Sequence, residues 1–194
     1  MKKLLLLTIV VALTINTSAQ NYSAFVPGRD AYYIHLAGFN DWQVDAIQTD
    51  SIGLSGSFTE YTDYRREIPS PAWNQGCLNF ADTGWMGHSI LRDINASRTI
   101  FMNWQNDSIV FNHGAAVGQN GMMYYFPNGD KIVGTVSTLG TMTFMSISDS
   151  VKTISLQAFD ASNNSIVHDF NGKTIIVSKT RGIVRAYNWK KFPT

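Results

Sequence analysis

The chain has 194 residues, 44% of them apolar and 15% charged, with a formal net charge of +1. That balance carries no basic stripe, so it excludes the electrostatic footprint of a nucleic-acid binder. With Cys77 as the only cysteine there is no internal disulfide, and stability rests on packing.

The N-terminus opens on Met1-Lys2-Lys3, continues as an uncharged apolar run over residues 4–15, and offers small residues in Thr17-Ser18-Ala19 before Gln20. This is the grammar of a signal peptide cleaved after Ala19, giving a leader at residues 1–19 and one domain at residues 20–194. The apolar run is shorter than the ~20 residues a spanning helix needs, and no later segment is long and apolar enough, so no transmembrane segment follows the leader. Without Lys2 and Lys3 the 15 basic residues fall to 13 against 14 acidic ones. The expected location is secreted, periplasmic or on the cell envelope.

Residues 31–37 read as a first strand ending at Gly38. Residues 43–49 and 56–64 read as two more, joined through Asp50-Ser51-Ile52-Gly53. Arg65-Arg66-Glu67 reads as a solvated strand end, and Pro69, Pro71 and Gly76 mark residues 68–76 as a loop. Cys77-Leu78-Asn79-Phe80 and residues 85–91 form a predicted pair across Asp82-Thr83-Gly84. Residues 98–104 and 108–112 are short β-rich runs hinged at Asn106-Asp107, and residues 114–118 are a flexible connection.

Residues 121–136 are the most legible stretch. Two β-rich runs flank Pro127-Asn128-Gly129-Asp130, where proline presets φ and Asn-Gly tolerates φ > 0, which predicts a hairpin. Ile132, Gly134 and Val136 alternate onto one face and Lys131, Val133 and Thr135 onto the other, the period of a half-buried strand. Residues 141–148, 150–160, 173–178 and 182–190 complete the set. Turn signals at this spacing, with no sustained helical period, predict an all-β fold: a single antiparallel β-rich domain, either a strongly curved sheet or a β-sandwich, with the 121–136 hairpin in the middle of a large sheet.

The chemistry-bearing residues are sparse. His35, His88, His113 and His168 share no metal-ligand spacing, so no metal site is expected. Glu60 and Glu67 are the two glutamates, a thin inventory for the paired carboxylates of glycoside hydrolysis. Gly53-Leu54-Ser55-Gly56 lacks the spacing of a nucleophile elbow, and no glycine-rich phosphate loop is present, so no cofactor is expected. Among the five tryptophans, Trp73, Trp85 and Trp104 are the ligand-binding candidates, as stacking platforms, against a packing role that aromatics commonly take. Asp50-Ser51-Ile52, Asp107-Ser108-Ile109 and Asp149-Ser150-Val151 repeat one phrase. It reads either as turn closure by Asp and Ser or as O-glycosylation at Ser51, Ser108 and Ser150.

Several phrases together carry a resemblance: Cys77-Leu78, Trp85-Met86-Gly87, residues 107–111, Asn128-Gly129-Asp130, residues 149–158 beginning Asp149-Ser150-Val151-Lys152, and residues 179–193 with Tyr187-Asn188-Trp189 and Phe192-Pro193. Over about residues 77–194 the chain resembles secreted bacterial proteins of the type IX export pathway, in which an uncharacterised β-rich region precedes a C-terminal sorting domain. Those proteins continue past the corresponding Phe-Pro, whereas this sequence stops at Thr194. The resemblance implies export machinery as a partner and brings no catalytic residues.

The resulting expectation is a non-enzymatic module for display, adhesion or binding of an unknown ligand or cell-envelope component. A carrier for a lipid or other apolar ligand, lined by Met122, Met123, Met142, Phe144 and Met145, and a glycan-acting hydrolase are the alternatives.

Overall fold

The computed structural model describes residues 22–27, 31–36, 42–68, 89–93, 95–103, 105–144 and 146–186, with residues 31–36, 42–50 and 62–68 described by their backbone. Among them there is no helix, and eleven strands form two antiparallel sheets. The first sheet holds β1 (Ala31–Leu36), β2 (Trp42–Ser55), β3 (Phe58–Ile68), β4 (Ser89–Asp93), β5 (Arg98–Met102) and β6 (Ser108–Asn112) in chain order. The second holds β7 (Asn120–Tyr125), β8 (Lys131–Phe144), β9 (Ile147–Phe159), β10 (Thr174–Ser178) and β11 (Gly182–Arg185), again each beside its predecessor. One of the two sheets curls strongly into a half-barrel. The all-β expectation therefore holds, as two meanders rather than one large sheet.

Both sheets contribute to one core. Phe101, Phe111, Ile90 and Ile109 from the first cluster with Ile132, Leu156, Ile175, Val177 and Ile183 from the second. Each is set inward by strand alternation: Ile132, Gly134 and Val136 are buried on β8, and their partners Ala158, Leu156 and Ile154 are buried on β9. Gly134 has a packing reason, because a Cβ there would lie 2.6 Å from Met123 Sδ and 2.8 Å from Ile154 Cγ2. The segment Tyr22–Phe25 is buried in the same core, and Ile183 N donates to Ala24 O at 3.0 Å.

The predicted hairpin at residues 127–130 is present. Gly129 N donates to Phe126 O at 2.9 Å, Phe126 N to Asp130 O at 2.8 Å, and Gly129 takes φ 89°. This is a three-residue loop closed by a left-handed residue. The same bonding scheme recurs at Asn103–Asp107, with Asn106 at φ 65°, and at Asp160–Asn164, with Asn163 at φ 68°. Asparagine can stand in for glycine because its short polar side chain tolerates that region.

Several boundaries differ from the sequence reading. The 127–130 hairpin is at a sheet edge, since β7 is the last strand of the second sheet. Asp50-Ser51-Ile52-Gly53 does not join two strands. Pairing shifts register between Thr49 and Ser51, and β2 runs on to reverse at Gly56-Ser57, with Gly56 at φ 61°. A bulge mimics a turn in sequence, because both interrupt alternation. Arg65-Arg66-Glu67 is the end of β3, which runs on to Ile68, past the expected strand end at residue 64. Residues 141–148 are not one strand: β8 ends at Phe144, Ser146 takes φ 62° and β9 starts at Ile147. Of the predicted pair, residues 77–80 and 85–88 lie outside the described residues, and residues 89–91 belong to β4.

Candidate functional site

Cross-strand register lines up the inner face of the first sheet in two rows. Ile52, Tyr61, Ile90, Phe101 and Ile109 make one, and Leu54, Thr59, Arg92, Thr99 and Phe111 the next. Directly opposed residues share a face, so both rows face the same way. Toward β6 the rows are fully buried, with Phe101, Ile109, Thr99 and Phe111 in the core. Toward β2 they come into the open: Ile52 is 65% and Leu54 85% exposed. Large apolar side chains on the core-facing side of a strand are here left uncovered.

Between the buried and open ends stands a polar group. Arg92 projects from β4 between Thr59 and Thr99. Thr99 Oγ1 and His113 Nε2 lie 3.1 Å apart, and His113 N, just after β6, donates to Ser97 O at 3.1 Å. Lys152 reaches in from β9. It is 3% exposed, and its Nζ donates to the carbonyls of His113 at 2.6 Å and Ala115 at 2.7 Å. The ring of Tyr22 caps the same ammonium, with its centroid 4.9 Å from Nζ.

Burial first, and nearby charge second, set the protonation states. Burial, then the nearby Arg92 and Lys152, push His113 down to about 4, so it is neutral at pH 7. Burial also lowers Lys152, which two carbonyls and an aromatic face hold, with no carboxylate on it among the described residues. Tyr22 is raised by burial and, secondarily, by Asp149.

Among the described residues, the carboxylates of Asp93, Asp149, Asp107 and Glu60 are committed elsewhere. Asp93 pairs with Arg98 on the outer face at 3.2 Å and caps the Ala96 amide at 3.0 Å, while Arg98 also lies over the Phe58 ring. Asp149 receives Thr180 N at 2.9 Å, Thr180 Oγ1 at 2.8 Å, Ser150 N at 2.7 Å and the Ser178 hydroxyl. Burial pushes its carboxyl up, but these four donors outweigh that and hold it at about 2. Asp149 thus clamps the β10–β11 turn. Asp107 accepts from Tyr124 Oη at 3.1 Å; burial first, then this bond and charge, raise Tyr124 to about 12. Glu60 accepts from Ser89 Oγ at 2.9 Å on the outer face.

The candidates read from the sequence do not converge here. Trp73, Trp85 and Trp104 lie outside the described residues, as does Met145. Ser51 and Ser108 are exposed and Ser150 half-buried, on three different strands. Of the three Asp-Ser phrases, that at Asp107 closes a turn beside it, that at Asp149 closes a neighbouring one, and that at Asp50 sits at the β2 bulge. Met123 is buried while Met122 on the other face is exposed, so the methionines do not form one lining. A cleft lined by Phe111, Ala115, Met123, Val136 and Ile154 has about 10 Å³ of free space, room for roughly one water. Among the described residues no three His, Cys, Asp or Glu side chains group as metal ligands.

Arg92 and Lys152 were not singled out by sequence reasoning. Lys152 had a signal: it alternates with Ile154, Leu156 and Ala158, so period 2 places it inward. Arg92 shares parity with Ile90 in the same way. Comparison with family models, curated proteins and solved structures gives no match.

Proposed function

We propose that the chain is an exported, non-enzymatic β module that binds a ligand or envelope component through the open end of its first sheet. The observation that carries this reading is the uncovered inner-face pair Ile52 and Leu54 beside the half-buried Arg92. Scattered surface apolar residues need no explanation, but apolar residues in register with a core row and left open mark an interaction surface. The leader at residues 1–19 supports export, and the resemblance over residues 77–194 supports the type IX route. The polar group argues against hydrolysis, because two cations and a neutral histidine supply no acid–base carboxylate pair. The cleft beside Met123 has room for about one water, too little to take an apolar ligand at that point.

The test is co-sedimentation of mature protein with purified cell-envelope fractions. Wild type is expected to sediment, and the double variant Ile52→Ser, Leu54→Ser to lose about tenfold in affinity, the effect of ~1.4 kcal/mol of apolar contact. Equal binding by the variant would remove this surface from the proposal. Turnover of glycoside or ester substrates by the purified protein would reverse the non-enzymatic reading.

A further inference from the structure

The two arginines at the end of β4 and start of β5 are treated differently by the fold. Arg98, on the outer face, has Asp93 and the Phe58 ring. Arg92, on the inner face, has neither. Its Nε, like that of Arg98, is buried with no hydrogen-bond partner, but its cross-strand neighbours are the uncharged Thr59 and Thr99. Among the described residues, the titratable groups gathered with it on the inner side are Lys152, a cation, and His113, which is neutral. What distinguishes Arg92 is that no carboxylate among the described residues meets its guanidinium, so an oxyanion reaching the fork would gain the charge-assisted bond that Asp93 gives Arg98.

Lys152 does not need that anion, because two carbonyls and the Tyr22 ring already satisfy it. Arg92 does. Its planar fork matches a carboxylate or phosphate better than any other side chain. Two strands away along the same row stands Leu54, and Ile52 is beside it in the next row. Strands lie ~4.8 Å apart, so the apolar pair begins roughly 10 Å from the cation. Charge at one end and open apolar surface at the other define an amphiphile.

We propose that the inner face of β2–β4 binds an amphiphilic anion, with its carboxylate or phosphate on Arg92 and its apolar stem over Leu54 and Ile52. This rests on the binding reading above and specifies the ligand class. The Thr59 hydroxyl stands next to Arg92 on the row as a second donor for the head group, while Thr99 is already engaged by His113.

The test is calorimetric titration of the mature protein with monomeric dodecanoate, dodecyl phosphate, the uncharged dodecyl maltoside, and acetate. At least one of the two anionic amphiphiles is expected to bind, and the stronger of them names the head group. Arg92→Gln should weaken that binding about tenfold, the effect of one charge-assisted contact, and leave dodecyl maltoside unchanged. Arg98→Gln, on the outer face, should change neither. Leu54→Ser alters a residue that is 85% exposed, so its fold is safe, and it should weaken both the anionic and uncharged amphiphiles.

Dodecyl maltoside binding wild type as tightly as either anion would overturn the anionic class while leaving the surface reading intact. Acetate binding as tightly as dodecanoate would overturn the apolar stem. An Arg92→Gln variant that binds the anions like wild type would remove Arg92 from the site. Binding of none of the four would overturn the proposal together with the open-face reading on which it rests.

Discussion

At the scale of single residues, the titratable groups that matter are those whose partners exist only in the folded chain. His113 is pushed from 6.5 to about 4, so between those values the unfolded chain binds a proton that the folded one refuses. Its contribution to stability is complete above pH 6.5 and is lost as pH falls toward about 4. Asp149 moves from 3.8 to about 2 in the same direction, so its contribution is complete above 3.8 and is lost as pH falls through about 2. Acid denaturation should therefore show two limbs. Urea melts between pH 7 and pH 2 should find His113→Gln flattening the upper limb and Asp149→Asn the lower. A single limb unaffected by either substitution would show that neither group is held as described.

At the scale of elements, strand parity was legible and strand partnership was not. The alternation of Ile132, Gly134 and Val136 states which face is buried, and the fold agrees. It says nothing about which strand comes next to which, so in sequence the break between the two sheets at residues 113–119 looks like a loop within one sheet. The hairpin at Gly129 was legible because Asn-Gly is a strong turn signal. Its counterpart at Asp160–Asn164 uses asparagine at the left-handed position, a weaker turn signal in sequence than Asn-Gly. The candidate site was legible least of all. Its Arg92 and Lys152 take inward positions that apolar residues normally hold, and a sequence shows such residues as ordinary surface charge. The hairpin offers the sharper check. Ile132 is 0% exposed, so Ile132→Ala should cost about 2–5 kcal/mol, while half-buried Val133→Ala should cost about 1 kcal/mol or less. Gly129→Val should cost about 1–2 kcal/mol for a β-branched residue held left-handed, and Ala161 Cβ stands 3.2 Å from the added atom. Denaturant melts with the reverse ranking of Ile132 and Val133 would place the strand inside out.

At the scale of the whole molecule, the strand that closes the chain order leans on residues near its beginning. Tyr22–Phe25 runs through the core without belonging to either sheet. Phe25 packs on Tyr61 of β3 with ring centroids 5.1 Å apart, Ala24 O accepts from Ile183 of β11, and Tyr22 caps Lys152 of β9. One short segment therefore ties both sheets together. Gly182 is there to admit it: its φ is 77°, and a Cβ would come within 2.7 Å of Ala24 O. If the leader ends at Ala19, only Gln20 and Asn21 precede this buried segment, so the mature end must be free to enter the core. N-terminal sequencing of exported protein should then find Gln20, because a start beyond Phe25 would remove the tie. A chain beginning at Pro27 should lose about 3–5 kcal/mol, the cost of emptying a large aromatic site. Gly182→Ala should lose about 1–3 kcal/mol through strain and through pushing the segment out. A synthetic peptide of residues 20–26 added to the truncated chain should restore part of the loss, since it binds the folded state alone. If the truncated chain melts like the mature one, the segment lies on the fold without holding it, and the two sheets cohere through their own facing side chains.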